Sequence, residues 1–198
     1  MNAKNVDALS AYFLEDLENN QETHTLSIVV DNEPGVLARV IGLFSGRGYN
    51  IDALSVSETE QRHHLSRITI ITTGTPQIIE QIRHQLDRLV PVHKVTDLTV
   101  EARRKGHEKP LERELALVKV RGQGENRLEA LRLAEAFKAT VIDATTEHFV
   151  FELTGRTNKV TQFIEIMRPL GLIEVARTGV VALCRGSASM RDEMAADI

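Results

Sequence analysis

The segment from Asp31 to Leu37, Asp-Asn-Glu-Pro-Gly-Val-Leu, has the composition of a turn that binds a small ligand. Gly35 tolerates unusual backbone angles and lets a ligand approach the main chain closely, and Pro34 marks the corner beside it. The unpaired amides at the start of a following helix can hold a carboxylate. This is chemistry for binding rather than for breaking bonds. The same seven residues also fit an ordinary strand-to-helix turn, and on their own they leave both interpretations open.

A strand before this turn and a helix after it would hold it in place. Leu26, Ile28 and Val30 recur at every second position, as in a half-buried strand. After the turn, apolar residues recur at helical spacing on one face: Val36, Leu37, Val40, Ile41 and Phe44. The turn therefore joins a predicted strand at residues 25–31 to a predicted helix at residues 35–47.

The order of predicted elements is βαββαβ, and it occurs twice. In the first half, strands are predicted over residues 25–31, 49–58, 65–73 and 92–100, and helices over 35–47 and 76–89. In the second half, strands are predicted over 112–121, 140–145, 148–155 and 172–177, helices over 126–137 and 157–170, and an extra strand over 180–185 is left open. This order predicts an α+β protein of two ferredoxin-like domains, each an antiparallel sheet with its helices on one face. The free face or edge of such a sheet can pair with a second copy.

Charge and proline divide the chain into segments. The first 24 residues contain five acidic residues against one lysine, together with apolar residues that predict one short helix. The stretch from Glu101 to Pro110 is charged and ends in proline, as a solvated linker does. The predicted segments are an acidic extension at 1–24, a first domain at 25–100, a linker at 101–111, a second domain at 112–186 and a tail at 187–198.

Composition excludes several classes of protein. The chain of 198 residues is 42% hydrophobic and 26% charged, which is typical of a globular protein, and its net charge of −4 with no long basic run argues against nucleic-acid binding. The single cysteine, Cys184, excludes an intramolecular disulfide and any multi-cysteine metal site. No stretch approaches the roughly 18 apolar residues of a membrane span. We therefore expect a cytoplasmic protein that binds neither nucleic acid nor membrane.

Other candidate sites have simpler interpretations. His63 and His64 are adjacent on a predicted strand or its connection, so their side chains point to opposite faces and disfavour a shared metal ion. The Gly122–Gly124 segment lacks the third glycine and the lysine of phosphate loops, and a turn before a helix accounts for it. The basic residues of the linker could contact an acidic partner, but a solvated linker is the favoured interpretation. No catalytic or metal-binding residues are predicted.

The first domain resembles the amino-acid-binding ACT domain, and more narrowly that of the small regulatory subunit of acetolactate synthase, also called acetohydroxyacid synthase. The resemblance rests on the turn at Asp31, on the run RVIGLFSGRGYNID from Arg39 to Asp52, and on Leu65-Ser-Arg-Ile-Thr-Ile70. It extends into the second domain through Glu114–Val120 and Ile173–Val181. It therefore covers nearly the whole chain except the amino-terminal extension.

The resemblance implies a noncatalytic subunit that activates a catalytic large subunit and confers feedback inhibition by valine, with leucine and isoleucine as possible alternatives. The large subunit is expected to use thiamine diphosphate, Mg and FAD, and this chain is expected to hold no cofactor. In the family, the effector lies between the ACT domains of a homodimer. The implied effector-binding residues are Asn32, Gly35, Val36 and Leu37 from one copy and Asn50 and Ile51 from the other.

The residues at these positions have suitable chemistry for an amino acid. Amides near Val36 and Leu37 can receive an α-carboxylate, and the side-chain oxygen of Asn32 or Asn50 can accept from an α-ammonium. One methylene in an apolar pocket is worth only about 1 to 3 kcal/mol, so the residues do not rank valine against leucine or isoleucine. The alternative function is a stand-alone tandem ACT-like sensor that controls gene expression, and an independent enzyme ranks third.

Overall fold

The computed structural model describes residues 21–60, 64–122 and 124–187, and these fall into two compact units. The first unit comprises the described residues up to 110 together with those from 184 onwards, and the second comprises residues 111–183. The helix expected in the amino-terminal extension lies outside the described residues, as does nearly all of the expected tail. No helix within the described ranges has the length and hydropathy needed to cross a membrane.

The first unit is a four-stranded antiparallel sheet with strand order β2-β3-β1-β4. Its elements are β1 (Glu22–Asp31), α1 (Val36–Arg47), β2 (Ala53–Glu60), β3 (Leu65–Gly74), α2 (Pro76–Asp87), β4 (Val92–Asp97) and α3 (Leu98–Arg104). Alternate residues of the central strands and the apolar stripes of α1 and α2 form one core: Leu26, Ile28, Val30, Val36, Val40, Phe44, Ile68, Ile70, Ile82, Leu86 and Val95. The helical periodicity, and the positions of Leu26, Ile28 and Val30 on β1, correspond to this buried layer. Ser27 and Val29 on the other face of β1 are buried as well, so the prediction of a half-buried strand is wrong.

The second unit repeats this topology with strand order β6-β7-β5-β8. Its elements are β5 (Leu111–Arg121), α4 (Gly124–Phe137), β6 (Thr140–Ala144), β7 (His148–Gly155), α5 (Thr157–Met167) and β8 (Leu172–Leu183). Three aromatic rings, Phe149, Phe151 and Phe163, lie at the centre of its core. The predicted fold class, two βαββαβ domains with antiparallel sheets, is confirmed.

The strand predicted over residues 92–100 is too long, because β4 ends at Asp97 and a helix follows it. The Asp97 carboxylate accepts hydrogen bonds from the amides of Thr99 at 2.9 Å and Val100 at 3.1 Å, which caps α3. Residues 101–104 of the predicted linker are therefore helical, and the Ala102 side chain is fully buried. A capping aspartate ends the strand where apolar alternation alone would have continued it.

The extra strand left open over residues 180–185 is instead the second half of β8. The pairing of β8 with β5 continues across a register shift, which lies between Glu114 and Ala116 on β5. At the shift the Leu115 amide donates to the Thr178 hydroxyl at 3.2 Å. A β-bulge bends the strand without ending it, so one long strand replaces the two short ones.

Candidate functional site

The turn before α1 has the backbone conformation that the sequence requires of glycine. Gly35 has φ 87° and ψ −10°, in the left-handed region, and it is the N-cap of α1 without any side-chain hydrogen bond to the helix start. The first turn of α1 contains no acidic residue, and the first bond of the helical pattern runs from the Arg39 amide to the Gly35 carbonyl at 3.1 Å. The amides at the start of α1 are therefore not capped by a side chain, and the helix dipole favours an anion there.

This turn is open to solvent. Residues 32–35 are all exposed, and a Cβ atom placed on Gly35 would meet no atom within 4 Å. The Asn32 amide donates to the His64 carbonyl at 2.6 Å, which fixes the main chain of the turn against the start of β3. Val36 is buried in the core and its amide donates to the Glu33 carbonyl at 3.4 Å. The Leu37 side chain is 37% exposed and offers apolar surface beside the helix start. The turn has room for a small ligand.

The second predicted group, Asn50 and Ile51, lies just before β2. Strand β2 begins at Ala53 rather than at residue 49 as predicted. The segment is nevertheless fixed to β3, because the Thr72 hydroxyl donates to the Asn50 carbonyl at 2.7 Å and the Asp52 amide donates to the Ile71 carbonyl at 2.8 Å. Asn50 is exposed, and Ile51 is half-buried against the core.

Asp52, which sequence reasoning did not select, organises this second group. Its Oδ1 accepts from the Asn50 side-chain amide at 2.6 Å, and its Oδ2 accepts from the Thr73 hydroxyl at 2.8 Å. The spacing of two between Asn50 and Asp52 is the signal in the sequence, since alternate residues of an extended segment point to the same side. The contribution of Thr73 depends on strand pairing and has no local signal.

The two groups are not brought together within one chain. Asn32 lies where β1 ends and β3 begins, because Asp31 pairs with Leu65. Asp52 bonds to Ile71, which is opposite Thr25, six residues back along β1. At about 3.3 Å per residue the two groups are roughly 20 Å apart, at opposite ends of the sheet. A ligand the size of an amino acid cannot touch both groups in a single chain.

The other candidate sites gain no support. Among the described residues, no three histidine, cysteine, aspartate or glutamate side chains are placed to share a metal ion, and His63 lies outside those residues. Gly122 is buried beneath Arg127, whose Nη1 donates to the Gly122 carbonyl at 3.3 Å. The space beside Gly122 is therefore filled by a side chain of the protein itself.

The fold and the open glycine turn define a protein built from ACT-type domains. A family model described as "AHAS small subunit-like ACT domain" matches residues 26–94. A second, described as "Small subunit of acetolactate synthase", matches residues 113–186. Together these matches fall on both units.

Individual relatives agree with the family models. The acetolactate synthase isozyme 3 small subunit of Escherichia coli is 42% identical over 167 residues, which are 84% of this chain and 98% of the relative. The acetolactate synthase small subunit of Mycolicibacterium smegmatis is 39% identical over 170 residues, 86% of this chain and 95% of the relative. The crystal structure of the Thermotoga maritima small subunit is 39% identical with a TM-score of 0.74, and the match covers 84% of this chain and 99% of that one. The chain belongs to the family of acetolactate synthase small subunits, as its sequence predicted, and not to the catalytic subunits.

Proposed function

We propose that this chain activates the catalytic large subunit of acetolactate synthase in branched-chain amino acid biosynthesis and makes it sensitive to feedback inhibition by valine. Family membership supports a regulatory role with a catalytic partner. The observation that supports a small-molecule effector is the exposed turn at Gly35, with uncapped helix amides behind it. The catalytic subunit is proposed to bring thiamine diphosphate, Mg and FAD, and this chain supplies regulation only.

The effector is proposed to bind as a zwitterion. Its carboxylate receives hydrogen bonds from the amides at the start of α1, where the helix dipole adds a favourable term of about 0.3 to 1 kcal/mol. Its ammonium donates to the side-chain oxygen of Asn32 or Asn50, and its branched side chain lies against Leu37 and Ile51. Leucine and isoleucine differ from valine by one methylene, so selectivity among the three is expected to be graded.

A homodimer is part of this proposal because one chain cannot assemble both halves of the site. Strand β2 is an edge strand of its sheet, and its Val56 side chain is 47% exposed. Two β2 edges paired antiparallel about a two-fold axis would bring the Asn50 end of one copy beside the Asn32 end of the other. The same pairing would cover the outward-facing backbone of both edge strands. Each dimer would then contain two equivalent sites.

Regulation follows if the catalytic subunit favours one packing of the ACT dimer and valine favours another. A coupling free energy of about 1 to 3 kcal/mol between the two binding events would change the affinity of the chain for its catalytic partner by roughly 5- to 150-fold. Because each effector lies between two copies, its binding free energy acts directly on that packing.

The test is acetolactate formation by the cognate large subunit, with and without this chain, across a valine titration. We expect stimulation by the chain and loss of that stimulation as valine rises. Stimulation that is not reversed by valine, leucine or isoleucine would support the catalytic partner and contradict the proposed effector. If there is neither stimulation nor a complex on sizing, the regulatory role is wrong and the stand-alone tandem sensor takes its place.

A further inference from the structure

We infer that Asp52 is the positioning residue that turns the Asn50 amide oxygen toward the effector ammonium, and that it makes the site selective for amino acids over the corresponding hydroxy acids. This inference rests on the proposed effector site. It assigns the polar recognition of the ammonium to a pair of side chains, of which only one would touch the ligand.

The contact between the two side chains fixes which way the Asn50 amide points. A carboxylate only accepts hydrogen bonds, so the group of Asn50 that lies 2.6 Å from Asp52 Oδ1 has to be the amide nitrogen. The oxygen of the same planar amide then faces away from Asp52. The exposed position of Asn50 leaves that oxygen directed to solvent, where it can accept a hydrogen bond.

A chain of hydrogen bonds from β3 and β1 fixes the Asp52 carboxylate. Thr73 donates its only hydroxyl proton to Asp52 Oδ2 at 2.8 Å. The Thr73 and Thr23 hydroxyl oxygens are 3.0 Å apart, so Thr23 is the donor in that second bond. A directed chain therefore runs from Thr23 through Thr73 to the carboxylate, and Asn50 completes it from the other side. Such a chain orients the acceptor before any ligand arrives, which lowers the entropy lost on binding.

The arrangement discriminates between ligands by charge and by hydrogen-bond direction. An α-ammonium can only donate, so it requires the amide oxygen that Asp52 turns outward, and it also gains from the nearby negative charge. An α-hydroxyl is neutral and either donates or accepts, so it tolerates both orientations of the Asn50 amide. Removing the Asp52 charge should therefore weaken the binding of an amino acid much more than the binding of a hydroxy acid of the same shape.

The experiment compares valine with 2-hydroxy-3-methylbutanoate on the intact chain and on Asp52→Asn, by NMR titration. Loss of a charge-dependent hydrogen bond predicts that valine binds roughly tenfold more weakly to the variant. The hydroxy acid is expected to change by less than about twofold, because it interacts with neither the charge nor a fixed amide orientation. Asp52→Glu, which keeps the carboxylate, should restore most of the preference for valine.

Two results would overturn the inference: unchanged valine affinity in Asp52→Asn, or an equal loss for both ligands, which would indicate general damage to the segment. The side-chain amide signals of Asn50 provide a readout without ligand, and they should shift in Asp52→Asn and remain near their original positions in Asp52→Glu. If the unaltered chain binds none of the three branched-chain amino acids, the proposed effector fails, and these amide signals still decide whether Asp52 orients Asn50.

Discussion

The two units share one topology but differ where their first strand ends. In the first unit, the space beside Gly35 is empty to at least 4 Å. In the second, Arg127 fills the space beside Gly122 at the end of β5: its Nη1 donates to the Thr145 carbonyl at 2.9 Å, and its guanidinium lies 4.1 Å from the centroid of the Phe149 ring. Gly124, at the start of α4, has φ 61° and no atom within 4 Å of its Cβ position, as at Gly35. A Cβ atom on Gly122 would lie 2.9 Å from Arg127 Nη1. The units therefore differ at the end of the first strand, where Arg127 covers Gly122 in the second unit and the turn in the first unit is open for the proposed effector.

A buried polar pair between the first and last strands is common to both units. In the second unit, Arg177 makes two hydrogen bonds to Glu114, at 2.5 Å and 2.9 Å, and the Glu114 side chain is only 4% exposed. These hydrogen bonds raise the pKa of Arg177 above its usual range. The pair joins β5 to β8, as the buried pair of His24 and Asp97 joins the first and last strands of the first unit. The units therefore differ at the turn and agree in this buried pair between strands.

The largest expected effect is on the stability of the second unit. Arg177→Met would leave the buried Glu114 carboxylate without its partner, which should lower the free energy of unfolding by about 3 kcal/mol. This value is at the lower end for a broken buried pair because the Arg177 side chain is 35% exposed. Hydrogen exchange of the β5 and β8 amides would measure it. Arg168→Met, which breaks an exposed pair with Glu165, is the control and should leave the stability nearly unchanged because solvent screens that pair. Equal effects would show that burial of Glu114 does not matter.

The next effect is on effector binding at the open turn. Gly35→Asp would place a negative charge where the effector carboxylate is proposed to bind. Repulsion between the two charges should weaken valine binding by roughly 100-fold, or about 2.8 kcal/mol. Gly35→Asn has the same size without the charge, and Gly35→Ala carries only the strain of a side chain at φ 87°. Calorimetry on the three variants should give the order Asp, Asn, Ala from weakest to tightest valine binding. If Asn weakens binding as much as Asp, shape and not charge is responsible, and the proposed place of the carboxylate is wrong.

The comparison also shows how far the sequence could predict this molecule. The apolar stripe of α1 is predictable because one face of the helix packs against the core. Strand β1 is buried on both faces, including Ser27 and Val29, so the half-buried strand that its alternation predicts is wrong. Helix α4 had a weak pattern because only two alanines, Ala130 and Ala134, are buried on it. Helix α3 was missed since its cap, Asp97, follows residues that alternate like a strand. Asp52 was missed because half of its environment comes from β3, and pairing across strands leaves no local pattern.

A smaller effect is expected from opening the filled turn. Arg127→Ala removes a cation–π contact and hydrogen bonds to two carbonyls, so the second unit should lose about 1 to 2 kcal/mol of stability. Arg132→Ala, at an exposed position on the same helix, is the matched control and should be close to neutral. Valine stoichiometry by calorimetry should stay unchanged, because an empty turn lacks the partner groups that Asn50 and Asp52 provide in the first unit. A new valine site in Arg127→Ala would show that an open turn is sufficient, and would contradict the proposed role of the second group.

The smallest effect is expected in the β6–β7 hairpin, where His148 forms a hydrogen bond with the exposed carboxylate of Asp143. His148 Nε2 is 2.9 Å from Asp143 Oδ2, and this hydrogen bond lowers the pKa of Asp143. A carboxyl whose folded-state pKa is lowered contributes stability above its unfolded-state pKa, near 3.9, and loses it as the pH falls through the lower folded-state value. His148→Gln should therefore return the pKa of Asp143 toward its usual value in an NMR titration, with almost no change in unfolding at neutral pH, because solvent screens this exposed pair. Glu165, whose pKa is lowered by Arg168, is the internal control and should titrate unchanged. If the pKa of Asp143 stays low in the variant, its cause lies in other neighbours and not in this hydrogen bond.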